Sequence, residues 1–167
     1  MSTYLGIDPG LDGALCIYTA PLPHAINGPA GTVDIIDMPT VEIKIGKSIK
    51  RRLDYQQVAG WLDIVARGVT LAALEDVTAS PQMGVSSAFA FGELYGAVRM
   101  AVAANAVPIH LVRPNIWKSR FGLLRQTKDA SRAAASRIAP AFSHHWPLKK
   151  HDGRAEAFLL AVYGSRM

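Results

Sequence analysis

Two apolar segments separated by a short turn open the chain, and they constrain its fold more than any other feature. The segment YLGIDPGLDGALCIY predicts two strands, over 3–8 and 12–19, joined at Pro9 and Gly10. Asp8 stands where the first strand ends. A carboxylate in that position either accepts backbone N–H groups of the turn or belongs to a site at the edge of a sheet.

The rest of the chain alternates between strand-like and helix-like segments. Further strands are expected over 32–39, 70–77 and 108–112, and helices over 53–68, 84–107, 127–140 and 151–166. Asp54 is the expected N-cap of the first helix, with Gln57 in the capping-box position. Residues 20–31 are typical of a loop, and 40–53 form a basic, irregular stretch. This order predicts one α/β domain with a mixed sheet over residues 1–167.

Charge indicates the kind of partner. The chain of 167 residues has a net charge of +5, and residues 105–150 hold nine Lys and Arg against one acid, Asp129. A second basic cluster lies over 44–52. Such patches indicate a polyanion, usually nucleic acid, although a solvated basic surface is the alternative. No membrane span or secretory signal is expected, and a single cysteine, Cys16, is compatible with a reducing cytosol.

Four carboxylates are candidates for a metal site. Asp8 and Glu75 each end a predicted strand, and Asp152 and Glu156 lie four residues apart on one face of the last helix. Mg²⁺ prefers carboxylate oxygens, and two such ions can hydrolyse a phosphodiester. Each acid also has a structural alternative: a turn former, a strand-end charge, a helix cap or a solvated position.

The same segments resemble a known family. GIDPG, ALEDV and KKHDGRAEAFLLA are similar, in this order, to motifs of the RuvC family of Holliday junction resolvases, which are crossover junction endodeoxyribonucleases. RPNIWKSRFGL and TKDASRAAASRIAP resemble the shorter, phage-type branch. The resemblance implies a ribonuclease H-like fold, with a five-stranded mixed sheet flanked by helices. It also implies an enzyme that nicks Holliday junctions and other branched DNA by two-metal-ion hydrolysis.

The resemblance assigns site residues one at a time. Asp8 matches the first-strand Asp, Glu75 the fourth-strand Glu, and Glu156 the final helical acid. The common bacterial spacing would place a fourth ligand at Gly153, which offers none. We expect Asp152 to take that role, with His151 as the rival catalytic or metal-binding residue. Two Mg²⁺ ions per site are implied, and Mn²⁺ is expected to substitute.

Partners follow from the same resemblance. A homodimer is expected through the helix 84–104, each subunit acting on one strand of a four-way DNA junction in the cytoplasm of a bacterial or phage-infected cell. DNA contacts are expected from the basic segment and from the loop after Glu75, namely Lys118, Arg120, Arg125, Lys128, Arg132, Gln82 and Met83. Two alternatives remain open: an RNA-processing nuclease of the same fold, and a non-catalytic nucleic-acid-binding module.

Two further features have ordinary explanations. The sequence IGKS, over 45–48, imitates the end of a P-loop, but Val41 stands where the motif needs glycine. Phe89 and Phe91 in the long helix are expected to be core residues rather than platforms for base stacking.

Overall fold

The computed structural model describes residues 1–21, 31–127 and 129–167. Most of the predicted loop 20–31, and Lys128 of the predicted DNA-binding set, lie outside the described residues. No helix in the described ranges is long and apolar enough to cross a membrane.

Five strands form a mixed sheet in the order β3-β2-β1-β6-β7, which confirms the predicted fold class. The strands, including a separate two-stranded pair β4-β5, are β1 Thr3–Asp8, β2 Ala14–Thr19, β3 Thr32–Asp37, β4 Thr40–Ile45, β5 Ser48–Leu53, β6 Val69–Glu75 and β7 Ile109–Val112. β2 is antiparallel to β1 and β3, whereas β6 is parallel to β1 and β7. Strands β1, β3, β6 and β7 therefore end at the same edge, called here the carboxyl end of the sheet.

Helices cover both faces of this sheet. They are α1 Tyr55–Val65, α2 Val85–Ala104, α3 Pro114–Arg120, α4 Asp129–Ile138 and α5 Asp152–Gly164. Leu5 and Ile7 of β1 pack in one core with α1 and α2, while a second core joins the opposite face to α4 and α5. The sheet has a core on each face because successive side chains of a strand point to opposite faces. The predicted N-cap is confirmed, since Asp54 Oδ1 accepts the Gln57 backbone N–H at 3.0 Å.

Helix α5 runs directly across β1 because Gly6 leaves it room. A Cβ at Gly6 would overlap the carbonyl oxygen of Ala157. This close approach surrounds α5 with protein, so Phe158 and its neighbours through Val162 are buried. It also brings the amino-terminal half of α5 to the carboxyl end of the sheet, beside Asp8.

Both basic segments of the chain contain regular structure. The prediction of an irregular stretch over 40–53 was wrong: β4 and β5 form an antiparallel hairpin, with Gly46 at φ 60° and Lys47 in its two-residue turn. Aliphatic residues alternate with charged ones here, and the charges hid the strand pattern. The basic stretch after β7 contains α3, which begins at Pro114, a favoured first helical residue.

One expected core residue is on the surface. Phe89 is 76% exposed, so its assignment to the core was wrong. Phe91 is half-buried and stacks on Tyr95. The helical pattern alone could not distinguish them, because α2 is apolar on nearly every side and only its packing shows which side faces the sheet.

Candidate active site

Three of the predicted carboxylates meet at the carboxyl end of the sheet. Asp8 and Glu75 are the last residues of the neighbouring parallel strands β1 and β6, where Ile7 pairs with Leu74. Glu156 lies in the second turn of α5, which crosses β1 at this end. Glu75 is only 8% exposed, and Asp8 and Glu156 are half-buried.

The electrostatics show that these acids act on one another. The pKa of Asp8 is raised from 3.8 to about 7, mainly by burial and then by the charges of Glu156 and Glu75. The backbone N–H of Gly10 and the ammonium of Lys118 oppose the shift. Burial also raises the pKa of Glu75, against the effects of its hydrogen bond from Trp117 and of Lys118. The acids therefore form a cluster with an excess of negative charge.

Helices α3 and α4 supply the partners of this cluster. Trp117 Nε1 donates to Glu75 Oε1 at 3.0 Å, and Ser131 Oγ donates to Glu156 Oε1 at 2.9 Å. Lys118 Nζ lies 3.3 Å from the same Glu156 oxygen. Trp117 and Ser131 were missed from the sequence. The one available signal was the position of Trp117 next to Lys118 in a segment already assigned to the site.

The fourth predicted ligand lies one helical turn before Glu156. Asp152 is the first residue of α5, on the same side of the helix as Glu156, and it lines a polar cleft of about 560 Å³ together with Asp12, Asp37 and His151. His151 Nδ1 accepts the Leu148 backbone N–H at 3.3 Å. Burial and the charge of Arg154 lower the pKa of His151.

The structure explains why no acid stands three residues before Glu156. That position is Gly153, whose Cα packs against the turn between β1 and β2. A Cβ there would overlap the carbonyl oxygen of Asp12 and lie 3.2 Å from Asp8 Oδ2. A side chain at this position would therefore displace either the turn or Asp8.

The predicted DNA-binding residues separate into groups. Lys118 and Arg125 line the same cleft as Glu156 and Ser131. Arg120 instead lies with Tyr163 and Arg166, at the far end of α5 from Asp152. The guanidinium of Arg132 is engaged by Asp129 at 2.6 Å and by the Pro147 carbonyl oxygen. Gln82 and Met83 are exposed in the segment after β6.

The donor chemistry of the cluster fits a hard divalent cation. All its ligand atoms are carboxylate oxygens. Burial, and then the charges of Glu156 and Glu75, raise the pKa of Asp8, and a bound cation would oppose both effects by stabilising the ionised carboxylate. Among residues 1–21, 31–127 and 129–167, no three His, Cys, Asp or Glu side chains are already grouped as ligands of one ion. Glu75 and Glu156 are instead turned to Trp117, Ser131 and Lys118.

Comparison with known proteins gives structural matches only. No family model and no curated protein matches this sequence. The structure of Thermus thermophilus RuvC superposes with a TM-score of 0.56 and 18% identity, covering 98% of this chain and 96% of that one. T. thermophilus RuvC in complex with a Holliday junction substrate gives a TM-score of 0.61 and 17% identity, covering 99% and 96%. This chain therefore has the ribonuclease H-like fold of RuvC.

Proposed function

We propose that this protein is a structure-selective endonuclease that nicks Holliday junctions and other branched DNA. The observation that carries the proposal is the meeting of Asp8, Glu75 and Glu156 at one end of a ribonuclease H-like sheet, inside a chain of net charge +5. An acidic cluster in a basic protein is favourable when phosphate and metal ions bind together, because each neutralises the other's charge.

Two Mg²⁺ ions would be held by Asp8, Glu75, Glu156 and Asp152, with His151 as the rival of Asp152. When bound, the ions would activate a water and stabilise the leaving oxygen of the phosphodiester. Asp8 would be the ligand common to both ions, since its pKa is raised by the charges of both Glu156 on α5 and Glu75 on β6. Mn²⁺ is expected to replace Mg²⁺, since both accept carboxylate oxygens.

The surrounding residues would orient the carboxylates and bind the DNA backbone. Trp117 and Ser131 each hold one carboxylate by a hydrogen bond from a buried side chain. Lys118 and Arg125 line the same cleft as Glu156, and they would neutralise phosphates without reading sequence. Arg125 has φ 59°, a left-handed conformation that is unfavourable for a side chain with a Cβ and is often retained at functional sites.

A homodimer through α2 would place two such sites on one junction. One face of α2 carries Val85, Phe89, Gly92, Gly96 and Met100, spaced three or four residues apart and all exposed. A Cβ at Gly92 or Gly96 would meet nothing within 4 Å in the subunit. The glycines are therefore not required by packing inside the subunit, whereas they would allow a second helix to approach closely.

The test is nicking of four-way DNA, flap DNA and structured RNA side by side, with and without Mg²⁺. Cleavage of branched DNA that needs Mg²⁺ and is lost in Asp8→Asn would support the proposal. Preferred cleavage of RNA would favour an RNA-processing nuclease of the same fold. Tight junction binding with no cleavage of any substrate would identify a non-catalytic binding module.

A further inference from the structure

The β4–β5 hairpin, residues Thr40–Leu53, is a second charged surface at the carboxyl end of the sheet. It follows β3, which is the strand at one edge of the sheet, whereas α3 follows β7 at the other edge. Both strands end where Asp8 and Glu75 lie. The hairpin and the basic segment of α3 therefore flank the carboxylate cluster on opposite sides.

The charge of the hairpin is strongly one-sided. Its 14 residues, 40–53, contain five cations and one acid, Glu42. None of Lys44, Lys47 and Lys50 forms an ion pair with any described residue. The register places Lys44 opposite Ile49 and Lys50 opposite Ile43, so cations project from both faces, and Lys47 lies in the turn.

The hairpin also has aliphatic side chains that its own subunit covers only in part. Val41, Ile43, Ile45 and Ile49 are all exposed, Ile49 to 68%. Each strand of six residues is about 20 Å long, and a two-stranded ribbon of this kind fits the roughly 12 Å major groove of B-DNA. Val41, Ile43 and Ile45 share one face of the hairpin, whereas Ile49 shares the other face with Lys44. The aliphatic side chains on the face turned to the groove would contact base edges and sugars, while the lysines reach the phosphates beside it.

The base of the hairpin is fastened to the turn that follows Asp8. Arg51 Nη1 donates to Asp12 Oδ1 at 2.7 Å, and Arg51 Nη2 donates to the Leu11 carbonyl oxygen at 2.5 Å. The backbone N–H of Asp54 also bonds to the Pro39 carbonyl oxygen at 2.9 Å. The hairpin is therefore not an independent loop, and its base is linked to the turn next to the cluster.

From this placement we infer that the β4–β5 hairpin is a duplex-binding ribbon, which holds the DNA arm beside the cleaved strand through Lys44, Lys47 and Lys50. The inference rests on the proposed function and adds a second, separate DNA contact to it. Charge selects DNA over a protein partner, since five cations against one acid match a polyanion. The contact would be independent of sequence and would lie within about one helical turn, roughly 10 base pairs, of the cut.

The test compares the wild type with the triple variant Lys44→Ala, Lys47→Ala, Lys50→Ala on junctions whose arms are long or short. A duplex arm of about 20 base pairs is long enough to contact the whole hairpin, whereas an arm of about 4 base pairs ends before most of the hairpin. Affinity is measured without Mg²⁺, to prevent cleavage. We expect the triple variant to lose at least tenfold in affinity for long arms and little for short arms. The slope of log K against log[salt] should fall by about 2 to 3 units, since each phosphate contact contributes about 0.9.

The control is the triple variant Lys44→Arg, Lys47→Arg, Lys50→Arg, which keeps the charge and should bind as the wild type does. Unchanged affinity of the alanine variant for long arms, while the wild type still nicks junctions, would overturn the hairpin inference and leave the proposed function standing. A change in oligomeric state with unchanged affinity would assign the surface to a second copy of the chain and overturn it as well. If the wild type neither binds nor nicks branched DNA, the proposed function fails and the hairpin inference fails with it.

Discussion

Lys118 and Glu156 form an ion pair of 3.3 Å between α3 and α5, at the edge of the carboxylate cluster. The pair is half-buried, with side-chain exposures of 30% and 15%. Lys118 also lowers the pKa values of Asp8 and Glu75, which otherwise rise through burial. The ammonium group thus compensates part of the negative charge, and a bound divalent cation would compete with it for Glu156.

Lys118→Met should therefore separate metal binding from cleavage. Removing the competing ammonium should tighten Mg²⁺ binding roughly three- to tenfold, which corresponds to about 0.6 to 1.4 kcal/mol, in the range of a partly exposed ion pair. Nicking should nevertheless fall by about 10²-fold, since the substrate phosphate loses a cation. Isothermal titration with Mg²⁺ and a nicking assay measure the two effects. Lys149→Met, an exposed lysine at the surface, is the control. Weaker Mg²⁺ binding in Lys118→Met would contradict the competition.

Asp8 should make the metal-free protein less stable as the pH rises. Its pKa is raised from 3.8 to about 7, so the folded state binds a proton that the unfolded state releases between these values. Stability from this proton is complete below pH 4 and is lost as the pH passes 7. Asp8→Asn should therefore add roughly 2 to 4 kcal/mol to the free energy of unfolding at pH 8, and much less at pH 4. Urea unfolding without divalent ions measures this, and an equal gain at both pH values would exclude Asp8 as the cause.

Asp152 and His151 should differ in their importance for cleavage. Both line the polar cleft beside the turn after β1, but Mg²⁺ prefers oxygen to imidazole. Asp152→Asn should therefore reduce nicking by about 10²-fold or more at saturating Mg²⁺, whereas His151→Ala should retain most activity. Rates are compared on the same four-way junction. If only the histidine variant is inactive, the fourth ligand is His151.

The backbone conformation of Arg125 should lower the stability of the fold, while its side chain should contribute to DNA binding. Its φ of 59° is costly for any residue with a Cβ, and Ala106, with φ 55° after α2, has the same cost without a charge. Both Arg125→Gly and Ala106→Gly should stabilise the fold by about 0.5 to 1 kcal/mol. Only Arg125→Gly should weaken binding to junction DNA. Thermal unfolding and DNA titration test the pair of variants, and equal DNA affinity in both would remove Arg125 from the binding surface.

Gly96 should be required for association of subunits and not for folding. A Cβ at Gly96 of α2 or at Gly60 of α1 meets nothing within 4 Å, and both glycines are exposed, so we expect a leucine side chain at either position to extend into solvent. Each substitution should raise helix stability by about 0.5 to 1 kcal/mol. Gly96→Leu should shift a dimer towards monomer, whereas Gly60→Leu should leave the oligomeric state unchanged. Sedimentation velocity measures the oligomeric state of both variants. A dimer that persists in Gly96→Leu would place the interface elsewhere.

Local sequence patterns were sufficient to predict the five strands of the sheet and the four longer helices. Continuous apolar runs placed β1, β2 and β6, and the ends of β1 and β6 then placed Asp8 and Glu75. The Asp54 cap was also readable, because it depends on residues three apart in the chain. These features arise from backbone geometry and burial within a short segment, and the sequence contains that information directly.

Contacts between distant segments required the tertiary structure. Gly153 lacks a side chain because α5 lies against the turn at Asp12, and no local pattern reports that approach. Trp117 reaches Glu75 across 42 positions of the chain, and Ser131 reaches Glu156 across 25. The contact of the β4–β5 hairpin with the turn after Asp8 is also long-range, since Arg51 bonds to Leu11 and Asp12 across about 40 positions of the chain. The sequence by itself determined which residues end each strand, whereas packing decided which of them meet and what holds them.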